Sequence, residues 1–200
     1  MAKLFLLRHL KSQWNLENRF TGWTDVSLCE EGVESAKKIA EKLVGARINK
    51  IYTSPLIRNK ETVSLILKNL GIKGLPIVVD KSLDERNYGE LQGLNKEKVK
   101  AKYGEGQVRL WRRSFNVAPP GGESLKDVYK RAVPFYQKYI EKDLKDRKNV
   151  LVVASHNSLR AIVKYVENVS DEKIIDVELP FGALVKYDFD GKRYTKFALK

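Results

Sequence analysis

The two histidines of this 200-residue chain each follow an apolar run of strand length. His9 comes after "LFLLR", and His156 comes after "VLVVAS". In open α/β sheets, ligands bind outside the carboxyl ends of the strands, so we expect two separate strands to deliver both imidazoles to one edge. The alternative, left open at this point, is a pair of hydrogen-bonded structural histidines.

Arginines are expected at the same edge of the sheet. Arg8 directly precedes the first histidine, Arg58 falls in the first turn of a predicted helix, and Arg112 and Arg113 stand together in a polar segment. Helix N-termini attract anions, and guanidinium groups match phosphate through two parallel hydrogen bonds. A solvent-exposed pair is the alternative for Arg112 and Arg113.

An imidazole among guanidinium groups is suited to accept a phosphoryl group. Neutral histidine is nucleophilic near pH 7, and arginines spread the charge on the equatorial oxygens during in-line transfer. The sequence has no cluster of Cys, His or carboxylate residues at metal-ligand spacing and no GxxxxGK[ST] loop. We therefore expect phosphoryl transfer without a metal ion.

Apolar runs of strand length alternate with amphipathic helical patterns. The predicted strands are 3–7, 50–54, 75–80, 149–155, 183–190 and 194–199. An Asp190-Gly191 turn joins the last two as a hairpin. This order predicts a three-layer α/β fold, with a mainly parallel sheet, helices on both faces and an antiparallel C-terminal edge.

Four helices are predicted between these strands. The first covers 30–44, and its apolar face is formed by Val33, Ala36, Ala40, Leu43 and Val44. The second has Pro55 in its first turn and stops at Gly71. The third begins at Ser124 with a capping pattern and contains Pro134, and its apolar stripe is Leu125, Val128, Ala132, Phe135 and Tyr139. The fourth runs from about Leu159 to Val166.

The segment 81–122 differs from the rest of the chain. It is polar, rich in Gly and Arg, and short of strand signals, so it is predicted to be loop with short helices. We expect one domain over 1–200 with a lid-like insertion at about 81–122.

The charge balance is strongly basic. Lysine and arginine total 38 against 25 acidic residues, which gives a formal net charge of +13. Such a chain suits a polyanionic partner, such as nucleic acid, anionic lipid or a phosphorylated small molecule, or else a lysine-rich solvated surface. No apolar run approaches the roughly 18 residues of a membrane span, and the single Cys29 makes no intramolecular disulfide. We expect a cytoplasmic protein that does not bind membranes.

Six stretches can be compared with known families: "RHLKSQWNLENRFTGWTDVSL" (8–28), "YTSPLIR" (52–58), "LDERNYGELQGLNK" (83–96), "KYG" (102–104) with "WRRSF" (111–115), "PPGGES" (119–124) and "HNSLRAIVKY" (156–165). Together they resemble the 2,3-bisphosphoglycerate-dependent phosphoglycerate mutases, within the histidine phosphatase superfamily. The resemblance spans nearly the whole chain, and "FTGWTDV" and "ERNYGELQGLNK" are its most specific parts.

The resemblance implies five catalytic residues. His9 would be the nucleophile that becomes phosphohistidine, and Glu85 would exchange a proton with the substrate hydroxyl. The transferring phosphoryl group would be held by Arg8, Arg58 and His156. The substrate-binding set that it implies is Leu10, Lys11, Ser12, Asn15, Thr21, Gly22, Arg86, Asn87, Tyr88, Lys96, Arg112, Arg113 and Asn157. Within that set, the substrate carboxylate and the second phosphate would be bound by Tyr88, Lys96, Arg112 and Arg113.

Several positions depart from the family pattern. Leu10 stands where the family has Gly, and Phe181-Gly182 replaces Thr-Gly. If the Gly position needs a positive φ, leucine there costs about 1–3 kcal/mol; with a negative φ, the Leu10 N–H could still reach a phosphate. Lys11 replaces Glu and would either strengthen anion binding or face solvent.

The second histidine motif is also altered, from His-Gly-Asn-Ser-Leu-Arg to "SHNSLR". Either one residue is deleted and His156 keeps its role, or Ser155 occupies the place of the histidine. We favour the deletion, because a loop can absorb one residue.

The sequence therefore predicts interconversion of 3-phosphoglycerate and 2-phosphoglycerate in glycolysis and gluconeogenesis, through phospho-His9 and with 2,3-bisphosphoglycerate as primer. One alternative is a histidine phosphatase that acts on small phosphorylated metabolites. The other is a non-catalytic basic protein that binds nucleic acid. The oligomeric state stays open, with a homo-oligomer among the options.

Overall fold

The computed structural model describes residues 1–197. Its strands are β1 (Ala2–Arg8), β2 (Lys50–Thr53), β3 (Ile77–Val79), β4 (Val150–Ala154), β5 (Leu184–Phe189) and β6 (Tyr194–Phe197). Within the described range they form one sheet in the order β3-β2-β4-β1-β5-β6. The first four strands pair in parallel, whereas β5 and β6 are antiparallel. The predicted fold class is confirmed; positions 198–199 of the last predicted strand lie outside the described residues.

Helices connect the strands. They are α1 (Gln13–Leu16), α2 (Glu30–Glu41), α3 (Ile57–Leu70), α4 (Lys96–Tyr103), α5 (Glu105–Arg113), α6 (Leu125–Phe135), α7 (Glu141–Lys145) and α8 (His156–Val166). Short 3₁₀ turns lie at Lys81–Leu83, Gly89–Leu91 and Lys173–Asp176, and a π-helical turn, Tyr136–Ile140, joins α6 to α7. No helix within residues 1–197 is both long and apolar enough to cross a bilayer.

Alternating side chains of the strands serve two separate cores, one on each face of the sheet. Phe5 and Leu7 of β1 pack with α2 and α3, whereas Leu4 and Leu6 pack with α6, α7 and α8. β4 is buried along its whole length because it lies between two strands and is covered on both faces. The sheet therefore forms the middle of three layers, and the loops at its carboxyl end are held by buried strands.

Three residues assigned to apolar helix faces lie on the surface instead. Val33 and Val44 are 45% and 73% exposed, because α2 turns Ala36 and Ala40 inward and ends at Glu41. Tyr139 is 44% exposed because the π-helical turn after Phe135 changes the angular step between residues.

Two helix starts differ from the prediction. Pro55 precedes α3 instead of lying in its first turn, because Leu56 has an extended ψ of 131° and caps the helix. α8 begins at His156, three residues before the predicted Leu159, so the second histidine opens a helix.

The segment 81–122 consists of two 3₁₀ turns, α4, α5 and loops, as predicted. Its two ends are joined at Gly89, which has a φ of +53° and lies against the backbone of Pro120 and Gly121. A Cβ on Gly89 would stand 2.1 Å from the Pro120 carbonyl oxygen. This position therefore requires glycine for both its φ and its close packing.

Gly89→Ala is expected to lower the free energy of unfolding by about 3 kcal/mol, since it adds backbone strain and a steric clash. Gly106→Ala is the control within the same segment. Gly106 lies in α5, and no atom stands within 4 Å of the point that an added methyl group would occupy, so alanine should stabilise the protein by about 0.5 kcal/mol. Urea denaturation measures both changes, and equal effects of the two substitutions would contradict the packing argument.

Candidate active site

A cavity of about 350 Å³ lies at the carboxyl ends of β1 and β4. Both His9 and His156 line it, although they are far apart in the chain. Six cationic side chains share the wall: Arg8, Arg19, Arg58, Lys96, Arg112 and Arg113. Small-ligand sites are typically roughly 300–1,000 Å³, so the cavity has the size and the charge for a small anionic molecule.

His9 lies on the cavity wall with one ring nitrogen committed to the protein. Its Nδ1 is 2.7 Å from the carbonyl oxygen of Leu10, which can only accept a hydrogen bond. Nδ1 therefore carries the proton, and Nε2 keeps its lone pair. Burial, together with the nearby Arg58 and Arg8, holds the pKa of His9 well below its usual value. At neutral pH the ring is an uncharged nucleophile among cations.

The two arginines beside His9 are anchored by main-chain carbonyls. Arg8 Nη1 donates to the Leu179 carbonyl at 2.6 Å, and Arg58 donates to the carbonyls of Gly22 and Thr24 at 2.8 and 3.1 Å. Burial lowers the pKa of Arg8 to about 10 and also lowers that of Arg58, so both remain charged at neutral pH. Because these partners are neutral, the positive charge stays available to a bound anion.

Glu85 is held at the wall from two directions. Its Oε1 accepts hydrogen bonds from the backbone N–H groups of Arg86 and Asn157 and from Asn157 Nδ2, at 2.7, 3.2 and 2.9 Å. Arg131 donates to the carbonyls of Asp84 and Glu85, which fixes the backbone of the loop. Among the hydrogen bonds of residues 1–197, those to the Glu85 carboxylate reach Oε1 and not Oε2.

The segment 81–122 supplies five residues of the wall, namely Glu85, Tyr88, Lys96, Arg112 and Arg113. Arg112 and Arg113 end α5, and their carbonyls accept hydrogen bonds from the buried Arg86 and Arg160. Arg113 also pairs with the carboxylate of Glu178. These contacts hold the last turn of α5 in place and direct two guanidinium groups to the wall.

Lys96 begins α4 and lines the cavity. Burial, the nearby Arg112 and the nearby Arg8 lower the pKa of Lys96 to about 8. Among the cations of the wall whose pKa is lowered, Lys96 therefore loses its charge closest to neutral pH.

The structure places His156, and not Ser155, on the wall. Ser155 is fully buried, and its hydroxyl accepts a hydrogen bond from Asn59 Nδ2 at 3.2 Å. Burial, followed by Arg8, Arg160 and Arg113, keeps the pKa of His156 well below its usual value. The second imidazole thus enters the site from the first residue of α8.

Six of the residues predicted to bind substrate lie outside the cavity wall: Leu10, Lys11, Ser12, Arg86, Asn87 and Asn157. The Leu10 N–H donates to Thr62 Oγ1 at 3.1 Å, so it does not offer itself to a phosphate. Leu10 does not have a positive φ, and its side chain is buried, so the backbone strain that leucine would have at a positive φ does not arise at this residue. Lys11 pairs with Glu31 at 2.7 Å and does not line the cavity.

Of the other four, three contact wall residues instead of lining the cavity, whereas Asn87 contacts Gly89, which is not on the wall. The Ser12 hydroxyl donates to Asn15 Oδ1, and Asn87 Oδ1 accepts the N–H of Gly89. Asn157 holds Glu85, as described above, and Arg86 holds the end of α5. The predicted residues that do line the cavity are Arg8, His9, Asn15, Thr21, Gly22, Arg58, Glu85, Tyr88, Lys96, Arg112, Arg113 and His156.

Sequence reasoning missed six further wall residues: Asn18, Arg19, Phe20, Glu178, Pro180 and Phe181. The first three lie within a motif that was recognised, directly before Thr21, so their position in it could have identified them. The last three come from the loop before β5, where the only sequence signal is that Phe181-Gly182 replaces the Thr-Gly of the family pattern. That loop reaches the cavity because β5 pairs antiparallel with β1.

Within residues 1–197, no group of three or more His, Cys, Asp or Glu side chains is arranged to hold a metal ion.

Sulfate binding should report the charge of Lys96, since sulfate keeps its own charge constant from pH 7 to about pH 9. As the pH rises through about 8, Lys96 loses its proton, and sulfate should bind on the order of tenfold more weakly. Lys96→Arg keeps the cation and should remove this dependence. Calorimetric titration measures both, and a pH dependence that survives in Lys96→Arg would assign it to another group.

A protein-family model described as the histidine phosphatase superfamily (branch 1) matches residues 4–199. One curated relative is the 2,3-bisphosphoglycerate-dependent phosphoglycerate mutase 2 of Lactiplantibacillus plantarum, 42% identical, with 96% of this chain and 95% of the relative covered. Another is the 2,3-bisphosphoglycerate-dependent phosphoglycerate mutase of Cytophaga hutchinsonii, 46% identical, with 96% and 90% covered.

Solved structures show the same fold. A mycobacterial glucosyl-3-phosphoglycerate phosphatase superposes with a TM-score of 0.86 at 24% identity, with 98% of each chain covered. The alpha-ribazole phosphatase from Shigella flexneri superposes with a TM-score of 0.84 at 20% identity, with 99% of this chain and 96% of that chain covered. The family resemblance predicted from the sequence is confirmed.

Proposed function

Because the chain belongs to the histidine phosphatase superfamily, branch 1, and within it to the family of 2,3-bisphosphoglycerate-dependent phosphoglycerate mutases, we propose that it interconverts 3-phosphoglycerate and 2-phosphoglycerate in glycolysis and gluconeogenesis. The observation that carries the proposal is the arrangement of the wall. The uncharged Nε2 of His9 lies with Arg8 and Arg58, and a second set of cations, Lys96, Arg112 and Arg113, lines the same cavity.

His9 is the phosphoryl carrier in this proposal. Its Nε2 attacks phosphorus in line, and a P–N bond forms as the P–O bond to the leaving oxygen breaks. Arg8 and Arg58 stabilise the charge on the equatorial oxygens, with His156 beside them. Glu85 gives a proton to the leaving oxygen and takes one from the attacking hydroxyl in the return step.

The residues present fit the bisphosphate primer that the family name implies. Arg8 Nε and Thr21 Oγ1 are buried without a protein hydrogen-bond partner, and both residues line the cavity. Phosphoryl oxygens would satisfy such groups, which are rarely left unpaired. A mutase ligand has anionic groups at both ends, and cations occupy more than one side of the wall. When bound, 2,3-bisphosphoglycerate supplies the phosphoryl group that charges His9.

We extend the proposal to the segment 81–122, which acts as a lid. It contributes Glu85, Tyr88, Lys96, Arg112 and Arg113 to the wall, so the catalytic acid and the distal cations move with one segment. Excluding water while the ligand reorients favours transfer to a hydroxyl over hydrolysis. A single domain that carries this lid is the proposed organisation.

The proposal predicts that incubation with 2,3-bisphosphoglycerate leaves acid-labile phosphate on His9, and that the labelled protein converts 3-phosphoglycerate to 2-phosphoglycerate. His9→Ala should abolish both, with Glu31→Gln as a surface control. Labelling with release of free phosphate and no isomerisation would indicate the phosphatase. No labelling of a folded protein would contradict both activities, and salt-sensitive nucleic-acid binding that survives His9→Ala would indicate the binding protein.

The roles of the two candidate positions for the second histidine can be separated by substitution. His156→Ala should slow phosphorylation of His9 by about 100-fold, because it removes a group beside the transferring phosphoryl. Ser155→Ala should leave that rate within about threefold, because its hydroxyl contacts Asn59 outside the wall. Rapid-quench kinetics measures both rates, and the reverse ranking would place the catalytic group at Ser155.

A further inference from the structure

The loop Leu179–Ala183 holds Arg8 by three different contacts. The Leu179 carbonyl accepts a hydrogen bond from Arg8 Nη1, and the Ala183 carbonyl accepts the backbone N–H of Arg8 at 3.0 Å. The ring of Phe181 lies over the guanidinium, with its centroid 3.9 Å from Arg8 Cζ. This distance is within the range of a cation–π interaction. The orientation of Arg8 is therefore set by this loop.

The same loop is fixed to the nucleophile. Residues 180–183 form a tight turn, in which the Ala183 N–H donates to the Pro180 carbonyl at 2.9 Å. Gly182 has a φ of +68°, and its N–H points to the His9 carbonyl at 3.4 Å. The Phe181 ring centroid lies 6.0 Å from that of His9, and Phe181 lines the cavity. An aromatic ring thus covers the corner formed by Arg8 and His9.

Leu10 belongs to the same unit. A Cβ placed on Gly182 would be 3.3 Å from Leu10 Cδ2 and from Ile39, so the leucine fills the space beneath the turn. Leu10 and Phe181 are both departures from the family pattern, and the structure packs them on the two sides of Gly182. The leucine supports the turn from the core, while the phenylalanine faces the cavity.

The ring of Phe181 lies where it can limit the reaction of water with a phosphoryl group on His9. In hydrolysis, the oxygen of water attacks the phosphorus on His9, the P–N bond breaks, and its electron pair returns to Nε2. The proton of the water passes to the Glu85 carboxylate, and orthophosphate leaves. A mutase must keep this reaction slow while a hydroxyl of the ligand reacts by the same in-line path. An apolar ring beside the nucleophile removes space in which the competing water would be held.

We propose that Phe181 is a positioning residue that fixes the Arg8 guanidinium and shields the phosphoryl group on His9 from water, so that transfer outcompetes hydrolysis. The inference rests on the proposed function, because it needs a phosphohistidine at His9. The inference assigns a role to a side chain outside the six stretches that carry the family resemblance. It also explains the leucine at position 10, which fills the space beneath the turn that holds Phe181.

The test measures the lifetime of phospho-His9 in buffer without an acceptor. Phosphoramidate, which phosphorylates histidine chemically, loads the ring whether or not the protein accepts a phosphoryl group from 2,3-bisphosphoglycerate; His9→Ala identifies any label on His156. Phe181→Thr is expected to shorten the lifetime by about tenfold, whereas Phe181→Tyr keeps the aromatic face and should stay within about twofold of the natural protein. Phe197→Thr is the matched control, since Phe197 is also exposed and lies over a cation, Lys186.

Three results would overturn the inference. They are an unchanged lifetime in folded Phe181→Thr, a Phe181→Tyr protein as short-lived as Phe181→Thr, and an equal loss in Phe197→Thr. Thermal unfolding establishes that each variant is folded. If the natural protein holds phospho-His9 but never transfers it to phosphoglycerate, the proposed mutase function fails while the lifetimes still decide the role of Phe181. If isomerisation proceeds and the lifetimes do not differ, the function stands and the inference fails.

Discussion

Buried guanidinium groups partnered by main-chain carbonyls are the interaction on which this site depends. Arg8 and Arg58 are held by the carbonyls of Leu179, Gly22 and Thr24, and Arg160 by those of Arg113 and Ile174. A carboxylate partner would cancel the charge, whereas a carbonyl fixes the geometry and leaves most of the charge in place. Burial, with the added effect of these arginines, keeps the pKa of His9 low and the ring uncharged, and the positive charge makes the cavity suitable for a phosphoryl group.

This requirement explains why the loops of the site are so closely tied to one another. Arg131 holds the backbone of Asp84 and Glu85, and burial raises the pKa of Asp84 to about 6 despite the nearby Arg131. Asn157 holds the Glu85 carboxylate at the N-terminus of α8, where the helix favours negative charge. Glu85, His9 and the arginines of the wall come from separate segments, and these hydrogen bonds fix their mutual positions.

The departures from the family pattern lie in and around the wall of the cavity. Leu10 turns into the core, and Phe181 takes a place over Arg8. His156 reaches the cavity from the first residue of a helix, next to a buried serine. Both features are compatible with a phosphoryl carrier at His9. Such a carrier needs mainly a free Nε2 and nearby cations, and neither Phe181 nor the position of His156 removes them.

The layered sheet and most of the histidine and cationic residues of the cavity wall can be predicted from the sequence, because hydrophobic periodicity and local motifs are properties of short segments. Periodicity predicts Val33 and Tyr139 on buried helix faces, but both side chains are exposed. The rotation of α2 about its axis and the π-helical turn Tyr136–Ile140 depend on tertiary packing, which periodicity does not record. The resemblance implies that Leu10 and Lys11 bind substrate because they follow His9 in the same motif. Neighbours in a motif need not line the same cavity, and these two do not. That His156 lines the wall and that Phe181 lies over Arg8 becomes evident only in the folded chain. The reason is that the pairing of β5 with β1 brings a distant loop beside His9, and a contact over such a separation cannot be derived from the local sequence.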